Sequence, residues 1–206
     1  MSNLANKIDK VLPQTQCRLC QHPSCLDYAN AISNGKDTID KCHPGGVKTL
    51  EKLAELTNTT SQQFINKVAT QYKEPSIVKI DEDKCIGCTK CITACPVDAI
   101  IGSAKKMHSI ITNICSGCDL CIPACPVDCI ETIPNNDNIN KAEMFKSRFI
   151  AKKAREEANS IKKSQEYKKN KIGTSNNSQD IDARKAAIAA AVARVTNKRL
   201  QVNHNE

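Results

Sequence analysis

Apolar positions at helical spacing open the chain. Leu4, Ile8 and Val11–Leu12 follow a Ser2 cap and end at Pro13, which predicts a first short helix. Ser24 stands before Leu26, Tyr28, Ala29 and Ile32, a second helix stopped by Asn34-Gly35. After Pro44-Gly45-Gly46, the run Val47, Leu50, Leu53, Ala54 and Leu56 predicts a third. Residues 57–74 read as a polar connector with a weak helical turn around Phe64, Ile65 and Val68. The period then changes. Short β-branched runs at Ile77–Ile80, Ile110–Ile111 and Ile130–Ile133 predict small strands. From Asn140, as a cap, a Lys/Glu-rich helix runs to about Asn170, with Met144, Phe145, Phe149 and Ile150 near its start. A polar break at Gly173–Gln179 precedes an Ala-rich second helix capped by Asp180 or Asp182. This tail is helical but has no core of its own.

Composition changes the picture at one point. The 206 residues leave room for one or two domains, but only 3% are aromatic, none is Trp, and 13 are Cys. Aromatic side chains normally supply the largest buried areas, so something other than hydrocarbon must help hold this chain together. The N-terminus lacks a signal-type apolar stretch and no run of 18 apolar residues exists, so the chain reads as cytosolic and not membrane-spanning. That compartment and the odd cysteine count point to thiolate metal sites rather than disulfides.

The cysteines are organised by a repeat. Residues 84–100 match residues 114–130 at 11 of 17 positions. Each copy spells C-x2-C-x2-C-x3-C-P, the bacterial ferredoxin run for 4Fe–4S clusters. Three thiolates two residues apart wrap one corner of a cubane through a tight loop, in which Gly87 and Gly117 sit. The fourth cysteine of each run serves the other cluster. One cluster therefore takes Cys85, Cys88, Cys91 and Cys125, and its twin takes Cys115, Cys118, Cys121 and Cys95. Zinc sites use separated CxxC pairs, and two tandem three-plus-one runs give no natural pairing of that kind.

A third group precedes the repeat: Cys17, Cys20, Cys25 and the distant Cys42. This C-x2-C-x4-C run is compatible with a cluster or with zinc. Twelve cysteines are then assigned and Cys129 remains, expected as a small buried residue near the Cys115 cluster, with a spare thiol as the alternative. His22 and His43 neighbour ligand cysteines, where an N–H donor would raise a cluster's potential; exposed loop histidines are the plainer reading. His108 and His204 receive no role. No glycine-rich nucleotide loop, Walker motif or Ser/His/Asp arrangement is present, so the chain alone reads as an electron carrier, not an enzyme.

Leu12 through Cys25, then Cys42-His43-Pro44-Gly45-Gly46, then the paired ferredoxin runs, resemble the B subunit of the Rnf-type ion-translocating electron transport complex over about residues 4–135. The resemblance implies a third 4Fe–4S cluster on Cys17, Cys20, Cys25 and Cys42. It also implies passage of electrons among other subunits of a membrane redox complex, between a redox protein donor and acceptor. A free soluble ferredoxin-like carrier that reduces a redox-sensing regulator or another iron–sulfur protein is the alternative. A zinc-loaded structural adaptor is the third reading.

Two departures from the family stand out. Its first loop usually has glycines where this chain has Arg18, Gln21 and Ser24. Its members usually begin with a hydrophobic anchor, whereas sixteen mostly polar residues precede Cys17 here. Residues 141–206 carry 16 basic and 7 acidic side chains. Such a tail suits a solvated or partner-docking helix first and contact with anionic lipid second. Nucleic acid is disfavoured, because Phe145, Phe149 and Tyr167 are the tail's only aromatics. The expected architecture is α+β. A helical four-cysteine domain (1–60) and a connector (61–76) lead to a two-cluster ferredoxin-like domain (77–135) and a basic helical tail (136–206). The expected location is cytoplasmic, peripheral on the cytoplasmic face of the inner membrane.

Overall fold

The computed structural model describes residues 3–135, 141–175 and 178–202. It divides into two compact units, Met1–Ala154 and Arg155–Glu206. The expected caps Ser2 and Asn140 lie outside the described residues.

Three helices, α1 (Asn3–Val11), α2 (Cys25–Ser33) and α3 (Gly46–Thr57), form where the apolar spacing places them. They bury Ile8, Leu12, Tyr28, Ala29, Leu50 and Leu53 in one cluster. Tyr28 is the largest buried side chain there, and its hydroxyl donates to the Thr38 carbonyl (2.8 Å) and accepts from the Lys41 amide (3.1 Å). The polar tip of the one large aromatic is thus satisfied inside the core. Ser24 caps α2 by accepting from the Asp27 amide at 3.1 Å. The connector is more helical than its polarity suggests. A 3-10 turn at Gln62–Phe64 leads into α4 (Ile65–Thr70), which buries Val68.

The repeat builds two small antiparallel sheets by crossing over. Strand β1 (Ser76–Ile80), before the first run, pairs with β4 (Ile130–Pro134), after the second. Strand β2 (Ile100–Ile101), after the first run, pairs with β3 (Ser109–Ile110), before the second. The register obeys the 30-residue offset: Ile80 faces Ile130, and Ile110 faces Ile100. Strand β2 and the single-turn helix α5 (Lys90–Ala94) are the elements that the sequence pattern does not announce, because two and five residues are too short to show a period.

This second core is rich in sulfur. Ile77, Val78, Ile80, Val97 and Ile130 pack with Cys91, Cys95, Cys115, Cys121 and Cys129. Phe145 closes it at 1% exposure, from the first turn of α6 (Ala142–Ser175). Helix α6 runs through Gly173, whose cost of about 1 kcal/mol a 34-residue helix absorbs. Helix α7 (Ser178–Val202) begins upstream of the expected caps, so Asp180 and Asp182 lie inside it. In the second unit Tyr167, Ile188 and Val192 stand exposed, as a coreless tail requires. No helix among the described residues is long and apolar enough to cross a membrane.

Candidate metal centres

Cys17 and Cys20 sit in the loop after α1, Cys25 opens α2, and Cys42 stands just before α3. All four line one small pocket. The loop is braced from behind. Gln14 reaches the buried Asp9 carboxylate (2.9 Å) and Gln16 Nε2 donates to Gln14 (2.9 Å). Gln16 Oε1 in turn accepts the Cys25 amide (3.0 Å). Where the family has glycines, Arg18 (φ 61°) and Gln21 (φ 66°) themselves adopt left-handed backbone, while Ser24 is extended and caps α2. The turn geometry therefore survives without glycine.

Burial pushes the Cys25 thiol up to about 12, Cys42 well above the ordinary thiol value, and Cys20 upward as well. Neighbouring thiols add to each shift. Such groups ionise poorly alone but fit a site in which bound metal cations supply the opposing charge, since a coordinated thiol is deprotonated outright. The His22 ring is committed elsewhere, with Nε2 2.6 Å from Asp37, although its backbone amide bonds to Cys20. Burial works against the Asp37 carboxylate, but hydrogen bonds from His22 and Lys41 hold it below its usual range.

Cys85, Cys88, Cys91 and Cys125 line a second small pocket. Two unrelated stretches of sequence thus each gather at least four thiols around one pocket. The third set is held together as the repeat requires. Burial raises Cys118 to about 12 and Cys121 well above its ordinary value, and Cys95 and Cys115 raise both further by proximity. Among the described residues, no three His, Cys, Asp or Glu side chains are grouped to hold a single metal ion.

Pseudosymmetry extends into the loops. Gly87 and Gly117 both have φ near +67°, and a Cβ on either would strike backbone, at Lys106 and Ser76 respectively. The struck residues are again 30 apart. The His108 amide donates to Cys85 Sγ (3.4 Å), and the Val78 amide serves Cys115 in the same way.

Two residues keep company that the motif spacing does not announce. Cys129 lines the Cys85 cavity, not the twin site, with its Sγ 3.4 Å from Cys125 Sγ. It follows Cys125 by four residues across a turn, and Cys125 itself lines the Cys85 pocket, which carries Cys129 across with it. Burial opposes ionisation of both thiols. The amides of Cys129 and Val127 nevertheless hold Cys125 below the usual thiol range, while Cys129 is pushed up to about 12. His108, given no role, is 1% exposed, with Nδ1 3.2 Å from Cys91 Sγ. Extending the repeat six residues upstream would have exposed it, because an imidazole stands there opposite a valine.

The first turns of α6 clamp the Cys95 loop. Arg148 donates to the carbonyls of Val97 (2.7 Å) and Asp98 (3.2 Å). Lys152, 7% exposed, donates to Ile92, Thr93 and Cys95 carbonyls. The two halves of the first unit also meet at their cysteine loops. Ser116 Oγ donates to the Thr15 carbonyl (3.0 Å), and Lys73 pairs with Asp119 (2.7 Å) while its amide donates to the His43 carbonyl (3.2 Å).

Crossed strands around paired three-plus-one thiol loops define an iron–sulfur dicluster protein. The 4Fe-4S dicluster domain family matches residues 78–132, and a putative Fe-S cluster family matches residues 12–44. The B subunit of the ion-translocating oxidoreductase complex of Shewanella pealeana is 56% identical over 131 residues, which are 64% of this chain and 68% of that protein. Its counterpart in Vibrio campbellii is 55% identical over 131 residues, 64% of this chain and 65% of the relative. The chain belongs to the family of ion-translocating oxidoreductase complex B subunits, as its motifs imply.

Proposed function

We propose that this chain is the iron–sulfur electron-transfer subunit of an ion-translocating oxidoreductase complex, with three 4Fe–4S clusters. Cys17, Cys20, Cys25 and Cys42 would hold one, Cys85, Cys88, Cys91 and Cys125 the second, and Cys95, Cys115, Cys118 and Cys121 the third. When bound, each cluster supplies a site that accepts and returns one electron. The protein's part is to fix the order of the sites. The hydrogen bond from Ser116, next to Cys115, to Thr15, two residues before Cys17, supports an order in which the Cys115 set is the middle station. The swapped fourth ligands then tie the middle station to the Cys85 set. Electrons enter from a redox protein at one end and leave to another at the other end. The chain works at the cytoplasmic face of the inner membrane, against other subunits of the complex, with its basic tail available for partner or anionic lipid.

The observation that carries this reading is three sets of four thiols, two of them gathered around one pocket each. Anaerobic purification tests it: about twelve iron and twelve sulfide per chain are expected. Zinc without sulfide in any set overturns that set's assignment. Membrane fractionation with a pull-down tests the assembly. Co-purification with integral redox subunits is expected for the full chain. Recovery free of membrane subunits makes it a soluble carrier instead.

A further inference from the structure

The ferredoxin halves are built to the same plan but differ at three residues that touch sulfur. Ser116 lies against Cys118 where the other half has Ile86, but its hydroxyl proton goes to the Thr15 carbonyl (3.0 Å). Cys129 approaches Cys125 (3.4 Å) where the other half has Ala99, and the third difference is His108. On the Cys115 side, Val78 gives its amide to the first cysteine and buries an isopropyl group. Thirty residues on, His108 gives its amide to Cys85 (3.4 Å) and adds its ring, with Nδ1 3.2 Å from Cys91 Sγ. One residue thus places two N–H groups on two sulfurs of one set. The ring lies in the cavity wall with Cys85, Cys88, Cys91 and Cys125, and its Nε2 is buried with no partner among the described residues. Gly102 makes room for it, since a Cβ there would collide with His108 Cδ2. A sulfur bound to iron carries no proton, so the bond requires Nδ1–H as donor.

Hydrogen bonds to cluster sulfurs withdraw charge and favour the reduced, more negative state. Basic groups beside the Cys115 set would offset this, but Lys73 is paired with Asp119 at 2.7 Å and Lys152 lies 3.9 Å from Asp98. We propose that His108, acting through Cys91, raises the reduction potential of the cluster on Cys85, Cys88, Cys91 and Cys125 above that of its twin. An electron shared by the pair then leaves the Cys115 set, oxidising it by one, and settles on the Cys85 set, reducing it by one. The pair is a step and not a level wire. This rests on the ligand assignment proposed above.

The test uses the full-length holoprotein, purified anaerobically and titrated potentiometrically with electron paramagnetic resonance detection. Three variants are compared with the wild type: His108→Val, which installs the twin's own residue; His108→Leu, which keeps the bulk; and His108→Gln, which keeps an N–H donor. In the apolar variants, at full iron content, one midpoint is expected to fall by at least a tenfold change in the equilibrium, 59 mV for one electron. The other midpoints stay in place, and Gln recovers part of the fall. Unmoved midpoints, or a common shift of all of them, overturn the proposal. Loss of one site's iron in both apolar variants also overturns it, because His108 would then be a packing residue only. A wild-type protein with fewer than three iron–sulfur centres defeats the ligand assignment instead, before any variant is made.

Discussion

Arg18 and Gln21 carry the first cysteine loop through left-handed backbone that costs a side chain about 1–2 kcal/mol. Glycine would relieve that strain and return part of the gain as chain entropy. Arg18→Gly and Gln21→Gly are therefore each expected to stabilise the protein by about 0.5–1 kcal/mol, read as a rise in the midpoint of anaerobic urea unfolding. A lowered midpoint in both would mean that the side chains contribute more than the turn costs. The cysteine spacing is legible at this scale, because ligands are counted along the chain. The company each thiol keeps is less so. Cys129 and His108 belong to the Cys85 cavity through chain crossing and through a six-residue extension of the repeat, neither of which a motif records. The His22 ring lies close to Cys20 in sequence yet points to Asp37.

Helix α6 shows what the pattern conceals at the scale of elements. Its lysine-rich start reads as a solvated face, yet Phe145 and Lys152 are both buried, and Lys152 finds its carbonyl partners 57–60 residues earlier in the chain. Lysines are seldom buried without full pairing, and no local period signals such a partner. The same helix holds α1 through Lys146, whose Nζ lies 2.6 Å from Asp9, a carboxylate 2% exposed. Removing the lysine leaves that carboxylate its hydrogen bond from Gln14 (2.9 Å) but no opposing charge there. Lys146→Met is expected to cost about 2–3 kcal/mol at neutral pH, somewhat less than a fully buried pair because the lysine is partly exposed. The Asp9 hydrogen bond raises the Lys146 pKa. Its contribution is therefore complete below the unfolded value of about 10.4 and is lost as pH rises through the folded value. Stability differences between wild type and variant, measured from pH 8 to 11, should shrink at the alkaline end. A difference that stays constant would show that packing, not charge, holds the contact.

Taken whole, the first unit has one core of ordinary hydrocarbon and one in which five buried cysteines replace the missing aromatics. If metal binding supplies folding free energy there, anaerobic chelation should abolish amide protection in Ile77–Ile80 and Ile130–Ile133 while α6 and α7 keep their helical signal. Hydrogen exchange measures this by segment. Protection retained in an iron-free protein would show that the second core stands without metal. The fold class follows from the repeat because the duplication itself dictates two related halves, whereas the joining of the halves at Ser116 and Thr15 depends on contacts about a hundred residues apart.

The crossed pairing of β1 with β4 and of β2 with β3 has a consequence for the order in which this protein is made. As the chain leaves the ribosome, β1 emerges first and finds no strand to bind until some fifty residues later. The Cys85 loop likewise lacks Cys125 for most of that interval. A nascent first half is therefore an open hand of thiols, and both halves close together once the last strand arrives. Iron delivery to this domain is best matched to the end of its synthesis, and a truncation before Ile130 should yield no half-working protein at all.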